Sequence, residues 1–217
     1  MVSRVVTVVL AVGLFFSLLI LAVGLADLRI PDDQQGYEPA QPIAFSHRLH
    51  AGELDIGCLF CHAGDEKSRY AGFPAASTCM YCHADVSATF GAVRAEAEAA
   101  EAEGRAVRRI VSTELETLYE ALALDENMER DPAKTLTPIA WVKVHDLPDY
   151  TYFDHRAHAS AGVTCAACHG PIETMERVRQ EESLSMGWCV NCHRDGYQAE
   201  ENGKSAYASV DCATCHF

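Results

Sequence analysis

The sequence predicts a mostly irregular, short-helical domain wrapped around covalently attached prosthetic groups, behind a single N-terminal membrane helix. Three observations carry that reading. All ten cysteines fall in five Cys-x-x-Cys-His pentads, an uncharged apolar run lies near the start of the chain, and a Phe-x-His-x-x-His element occurs twice.

The apolar run, Val5 to Ala26, is 22 residues without a charge. At ~1.5 Å per residue it makes ~33 Å of helix, enough for a bilayer core of ~30 Å. A cleaved signal has an apolar stretch of only ~7–15 residues. The run is therefore read as a retained anchor over 1–27, with a cleaved signal, processed at Ala22-Val23-Gly24, as the alternative. Arg4 precedes it, and Asp27, Asp32 and Asp33 follow. The preference for basic residues inside then puts the N-terminus in the cytoplasm. Residues 28–217 form the exported domain, which begins with a short Pro-containing linker, Gly36 to Ile43.

The first pentad is Cys58, Cys61 and His62, and the second is Cys79, Cys82 and His83. The third is Cys165, Cys168 and His169, the fourth Cys189, Cys192 and His193, and the fifth Cys212, Cys215 and His216. Disulfides do not require a histidine after each pair, and neither do zinc ribbons. Haem c does: two thiols bond to its two vinyl groups, and the following histidine is the proximal iron ligand. Five covalently bound haem c groups are therefore expected. The fold class is a multihaem cytochrome c, mostly irregular, with short α-helices wrapped around five haems. Haem c is attached on the export side of the membrane, which places the haem domain on the periplasmic or outer face. With roughly 190 residues serving five porphyrins, the macrocycles supply much of the apolar core.

The body of the chain repeats. Phe45-Ser46-His47-Arg48-Leu49-His50 leads into the pentad at Cys58, and Phe153-Asp154-His155-Arg156-Ala157-His158 into that at Cys165. A second pentad follows each time, after 16 and 19 residues respectively, and a fifth closes the chain. This is a duplicated two-haem unit with one haem added. Between the copies lies a helical connector, 92–138. Its Ala92–Gly104 stretch, AVRAEAEAAEAEG, reads as a solvated helix or a frayed acidic loop. Val107, Val111, Leu115, Leu118, Tyr119 and Leu122 recur at helical steps and predict an amphipathic helix over the haem core. Thr113-Glu114-Leu115-Glu116 offers a capping box that would start it later. Residues 141–145 read as extended, Leu147-Pro148-Asp149 as a turn, and strand content as small.

Five histidines stand outside the pentads: His47, His50, His145, His155 and His158. Five haems need five sixth ligands, so the count closes if every haem is bis-histidine. Residues three apart on a helical turn point the same way, yet one haem face accepts one imidazole. Each His-x-x-His must therefore serve two haems and clamp them together. Methionine competes as a ligand; Met186, three residues before Cys189, is the candidate to replace a histidine, and Met80 lies inside a pentad.

Net charge is −14, from 17 basic and 31 acidic residues, which argues against nucleic acid as a partner. Eleven of the acids lie in 94–131. That uneven field suits steering of a basic soluble cytochrome, or serves solubility alone.

Five segments carry a resemblance: PIAFSHRLHAG (42–52), EKSRYAGFPAASTCMYCH (66–83), WVKVHDLPDYTYFDHRAHASAGVTCAACHGPIETM (141–175), LSMGWCVNCHR (184–194) and DCATCHF (211–217). They are similar to the membrane-anchored pentahaem cytochrome c subunit of alternative complex III, a quinol:acceptor oxidoreductase, and to class III multihaem cytochromes more widely. The Ala/Glu-rich 92–104 departs from that pattern as an insertion. The resemblance implies that His47 shares a haem with His62 and His155 one with His169. His50, His145 and His158 then divide the haems of His83, His193 and His216 in an open order. It further implies an electron relay without a catalytic site of its own. Its partners would be an iron–sulfur, molybdopterin-type subunit, integral membrane subunits and a monohaem cytochrome c. Electrons would leave towards a cytochrome c or a terminal oxidase. Two alternatives remain at this level: an anchored multihaem quinol dehydrogenase feeding a periplasmic reductase, and a multihaem enzyme, which needs an open iron position.

Overall fold

The computed structural model describes residues 2–26, 34–198, 205–206 and 208–216. Asp27, Asp32 and Asp33, used above for orientation, lie outside them.

Helix α1 (Val2–Ala26) contains the whole apolar run and starts ahead of Arg4. Its span Arg4–Leu25 has a mean hydropathy of 2.9, and none of the most apolar stretch is buried inside the protein. This is a helix long and apolar enough to cross a membrane.

The remaining helices are short, and five of them carry the pentads: α2 (Cys58–Cys61), α3 (Ala76–His83), α7 (Ala166–His169), α8 (Met186–Asp195) and α9 (Cys212–Cys215). A single helical turn explains their shared form. The histidine N–H donates back to the first cysteine carbonyl at 2.9 Å in His62→Cys58, His169→Cys165 and His216→Cys212. That bond stacks residues i and i+3, so both thiols face one side. In the second pentad the helix runs on through His83, and the Cys82 carbonyl closes it by accepting the Asp85 and Val86 N–H groups at 3.1 and 2.9 Å. Side-chain caps start two of these five pentad helices, Ser185 accepting from the Trp188 N–H and Asp211 from the Ala213 N–H. Regular strand is confined, among the described residues, to β1 (Tyr197–Gln198) and β2 (Ser205–Ala206), paired antiparallel.

The connector holds α4 (Phe90–Glu103) and α5 (Thr113–Ala121). Ala92–Gly104 is thus a capped helix and no frayed loop: Thr89 accepts from the Ala92 N–H at one end, and Gly104 closes the other at φ 65°. The amphipathic helix expected from Val107 begins only at Thr113, with Ser112 as its N-cap residue. Val107 is exposed in an irregular segment, because Glu96 draws the chain there back onto α4: its carboxylate pairs with the Arg105 guanidinium and accepts the Arg108 N–H at 2.9 Å. The helix does start at the later position that the Thr113 box implies, but with Ser112 as N-cap residue and without the reciprocal side-chain bonds; Glu114 accepts the Ala44 N–H.

Helix α5 packs on α3, with Leu118 and Tyr119 buried beside Ile43 and against Ala76, Cys79 and Met80. The Tyr119 hydroxyl donates to the His83 carbonyl at 2.6 Å. The expected Gly36–Ile43 linker is tied down: Gly36 and Tyr37 exchange backbone bonds with Gln180, and the Gln41 amide bonds both ways with Val142. The turn expected at 147–149 falls one residue later, with the Thr151 N–H donating to the Pro148 carbonyl.

Only seven apolar side chains are buried among the described residues. A chain of this length normally hides most of the surface its unfolded form exposes. Aromatic groups next to or inside the pentads stay exposed, including Phe60, Phe73 and Tyr81.

Candidate functional site

The two Phe-x-His-x-x-His elements fold alike, one as a π-helical turn (Arg48–Glu53, with His47 as its N-cap residue) and one as α6 (His155–Ser160). In the first, Phe45 lies edge-on to His47 at 4.9 Å and stacks on His50 at 4.3 Å. In the second, Phe153 lies edge-on to His155 at 4.8 Å and stacks on His158 at 4.6 Å. Each phenylalanine thus fixes the planes of two imidazoles, a role for which the bare motif offered no reading. The first turn packs on a 3₁₀ turn, Ile172–Thr174, just after the third pentad. There the Arg48 N–H reaches the Met175 carbonyl at 2.9 Å, and Glu176 holds both the Ser46 hydroxyl and the Arg48 guanidinium. The first ligand turn is thereby joined to the second half of the duplication.

Three of the imidazoles outside the pentads each face one inside. Ring centroids are 6.1 Å apart for His50 and His83, 6.4 Å for His155 and His169, and 6.1 Å for His158 and His193. A ring nitrogen sits ~2.0 Å from a bound metal and the ring centre ~1.1 Å beyond, so two imidazoles across one ion stand ~6.2 Å apart. Burial, then the proximity of His62 and of His50, lowers the pKa of His47 to about 4. His145 is elsewhere: its ring is 4.3 Å from that of His169, with its Nε2 3.2 Å from the His169 Nδ1.

Hydrogen bonds set the chemical form of these rings. In His50, His62, His83, His155, His158, His193 and His216, Nδ1 meets a backbone carbonyl, at 2.7–3.0 Å in the first six and 3.4 Å in His216. A carbonyl can only accept, so Nδ1 carries the proton and Nε2 keeps its lone pair. That is the tautomer and orientation an Nε2 metal ligand requires.

The ten thiols are all free of disulfides, and each pentad pairs one exposed with one half-buried sulfur. Cys58, Cys82, Cys165, Cys192 and Cys212 are the exposed members; Cys61, Cys79, Cys168, Cys189 and Cys215 are the half-buried ones. In the second pentad Cys79 is packed under α5 while Cys82, one turn on, stays open to solvent. Burial, and then an adjacent thiol, raises the pKa of Cys79 (neighbour Cys61), Cys165 (Cys58) and Cys189 (Cys215). Cys168 is pushed up to about 11, by burial and then by Cys192 and Cys189. Neighbour by neighbour, the pentads line up in the order second, first, third, fourth, fifth. The fifth is pinned by the Tyr152 N–H on the Cys215 carbonyl at 2.7 Å and by a bridge between Thr151 and His216.

The donor set fits haem c and fits a shared metal ion poorly. Each pentad presents two thiols and an imidazole, while no three described His, Cys, Asp or Glu side chains converge as a metal cluster. Arg69 adds a detail that the motifs did not reveal. Its guanidinium lies over Tyr70 and Tyr152, its carbonyl takes the His155 Nδ1 proton, and its Nε is shielded from solvent without a partner. A haem carboxylate is a suitable partner for such a group. Met186, the competing ligand, is 70% exposed at the start of α8.

Residues 151–217, which hold α6 to α9, match the family described as cytochrome c7 and related cytochrome c. Over 197 residues, 81% of this chain and 76% of the relative, the sequence is 24% identical to the menaquinone reductase multiheme cytochrome c subunit of Nitratidesulfovibrio vulgaris. The fold, mostly helical and irregular behind one apolar helix, is that of a multihaem cytochrome.

Proposed function

We propose that this chain is a membrane-anchored pentahaem cytochrome c that relays electrons within a quinone-linked complex. Bound haem c supplies reversible one-electron transfer at its iron. The chain's residues attach, ligate and order the sites. The ten cysteines would tether the haems, and the pentad histidines together with His47, His50, His155 and His158 would serve as their iron ligands. Each clamp ties two neighbours, first to second through His47 and His50, third to fourth through His155 and His158. The relay then runs from the site of Cys79 and Cys82 through those of Cys58, Cys165 and Cys189 to that of Cys212. The observation that carries this reading is the set of three imidazole pairs at 6.1–6.4 Å, each joining one motif histidine to one pentad histidine.

The resemblance to the alternative complex III subunit supports a quinol:acceptor complex as the setting, with α1 in the cytoplasmic membrane and 28–217 on its outer face. The relative's name, a menaquinone reductase subunit, supports quinone as the redox partner of the assembly. Iron–sulfur, molybdopterin-type, integral membrane and monohaem cytochrome subunits would be its neighbours.

Mild detergent purification with haem quantification and subunit identification tests this. Five haems per chain and co-purifying subunits are expected. Should the full chain alone oxidise a quinol analogue, the relay reading fails and an anchored quinol dehydrogenase replaces it.

A further inference from the structure

Ten histidines would close five bis-histidine sites only if His145 stood across from His216, and it does not. His47, His50, His155 and His158 account for four pairs under the pentahaem reading. His145 meets His169 edge-on, at an interplanar angle of 77° and a centroid separation of 4.3 Å, about 2 Å too close for two rings that share a metal ion. It also spends on that contact its Nε2, the nitrogen an axial ligand would present. His169 faces His155 with a parallel ring, 7° apart in plane, and turns its Nδ1 to His145. The segment has little slack to do otherwise. Val142 is held through its N–H and C=O by the Gln41 amide, Val144 is buried, and Asp146 is held by Lys143 and by Gln34 Nε2 at 3.4 Å. His216 is pinned separately, by the 150–152 backbone, and the ring beside it is that of Tyr150, 5.8 Å away between centroids, not that of a histidine.

We propose that the site built by Cys212, Cys215 and His216 keeps one coordination position that no histidine of this chain fills, and that a small exogenous ligand binds there. His145 is then a positioning residue for the third site. It accepts the His169 Nδ1 proton, where the other pentad histidines use a backbone carbonyl. Imidazole is a better acceptor than a peptide carbonyl, so it makes the bound His169 more basic. The open site is the terminal one of the relay, where access does not interrupt the line.

The inference rests on the pentahaem reading, and its test separates the two. In the full-length, haem-loaded chain, haem is counted first; a count other than five defeats the pentahaem reading before any ligand is added. The dithionite-reduced protein is then titrated with carbon monoxide. One carbon monoxide per chain is expected, and none overturns the open site. The double variant Cys212→Ala, Cys215→Ala should fall to four haems and lose carbon monoxide binding; retained binding overturns the placement. His145→Ala should keep five haems and one carbon monoxide, while the low-spin ferric spectrum still reports four bis-imidazole sites. A wild type that binds none and a His145→Ala variant that binds one would identify His145 as an iron ligand and overturn the proposal.

Discussion

Arg69 shows how much one side chain can decide beside a ligand. Its carbonyl fixes the His155 tautomer, while its guanidinium puts a positive charge next to the third site, sandwiched by Tyr70 and Tyr152. A positive charge disfavours the oxidised, more positive state of its neighbour. At ~10 Å and an effective dielectric of ~20 the interaction is on the order of 1.5 kcal/mol. Arg69→Leu should therefore lower one midpoint potential by roughly 50 mV, on the scale of ~59 mV per tenfold for one electron. Redox titration in the visible region checks this; an unchanged set of midpoints would remove Arg69 from the site. Neither the cation nor its partners could be read from the sequence, because Arg69 and His155 meet across the whole connector. The pentads and the repeated His-x-x-His were legible because their chemistry is local: thiols and imidazole must sit within one helical turn. The surroundings of His145 were not legible, since counting ligands says nothing about which ring a side chain faces.

Among the elements, the π-helical turn Arg48–Glu53 carries the heaviest constraint. A Cβ on Gly52 would lie 2.3 Å from the Glu173 carbonyl oxygen, a backbone atom that cannot swing away. Gly52→Ala should destabilise the junction of the two halves by about 1–3 kcal/mol. A lower thermal midpoint together with a changed low-spin haem spectrum is the expected signature, since His47 and His50 stand on that turn. The connector responds to pH instead. The Arg105 guanidinium and then the Arg108 N–H hold the Glu96 carboxyl down to about 2. A depressed folded-state value stabilises above the ordinary glutamate range near ~4.3 and loses that effect as the pH falls towards 2. Hydrogen exchange at 105–109, corrected for its intrinsic pH dependence, should therefore show protection at neutral pH that declines below about 4. Glu96→Gln should show the lower protection at every pH. The late start of α5 follows from this same staple. Helical periodicity continued through Val107, but a charged side chain from α4 captured that stretch first.

On the scale of the whole molecule, charge and burial matter more than any single contact. Beyond α1 the chain carries 16 basic and 31 acidic residues, a net −15, with eleven of the acids in the connector. A basic soluble cytochrome should dock on it at a rate that falls as ionic strength rises through 0.1 M, where the screening length is ~10 Å. Stopped-flow reduction kinetics measure this, and rates independent of salt would reduce the acidic surface to an aid to solubility. The overall organisation, an apolar helix, two ligand-turn repeats and a connector, was legible because each part has its own local period. The order of the sites was not, because the line runs second, first, third and thus departs from the order along the chain. It becomes apparent only where Cys58 meets Cys165 across the duplication.

Main-chain carbonyls hold most of the imidazole protons, at Ser46, Gly72, Val86, Asp154 and Ser209 among others. Replacing the side chain of an acceptor residue leaves its carbonyl in place. The tautomer and orientation of these rings are thereby written into the path of the backbone, and substitutions at the acceptor positions should leave both in place.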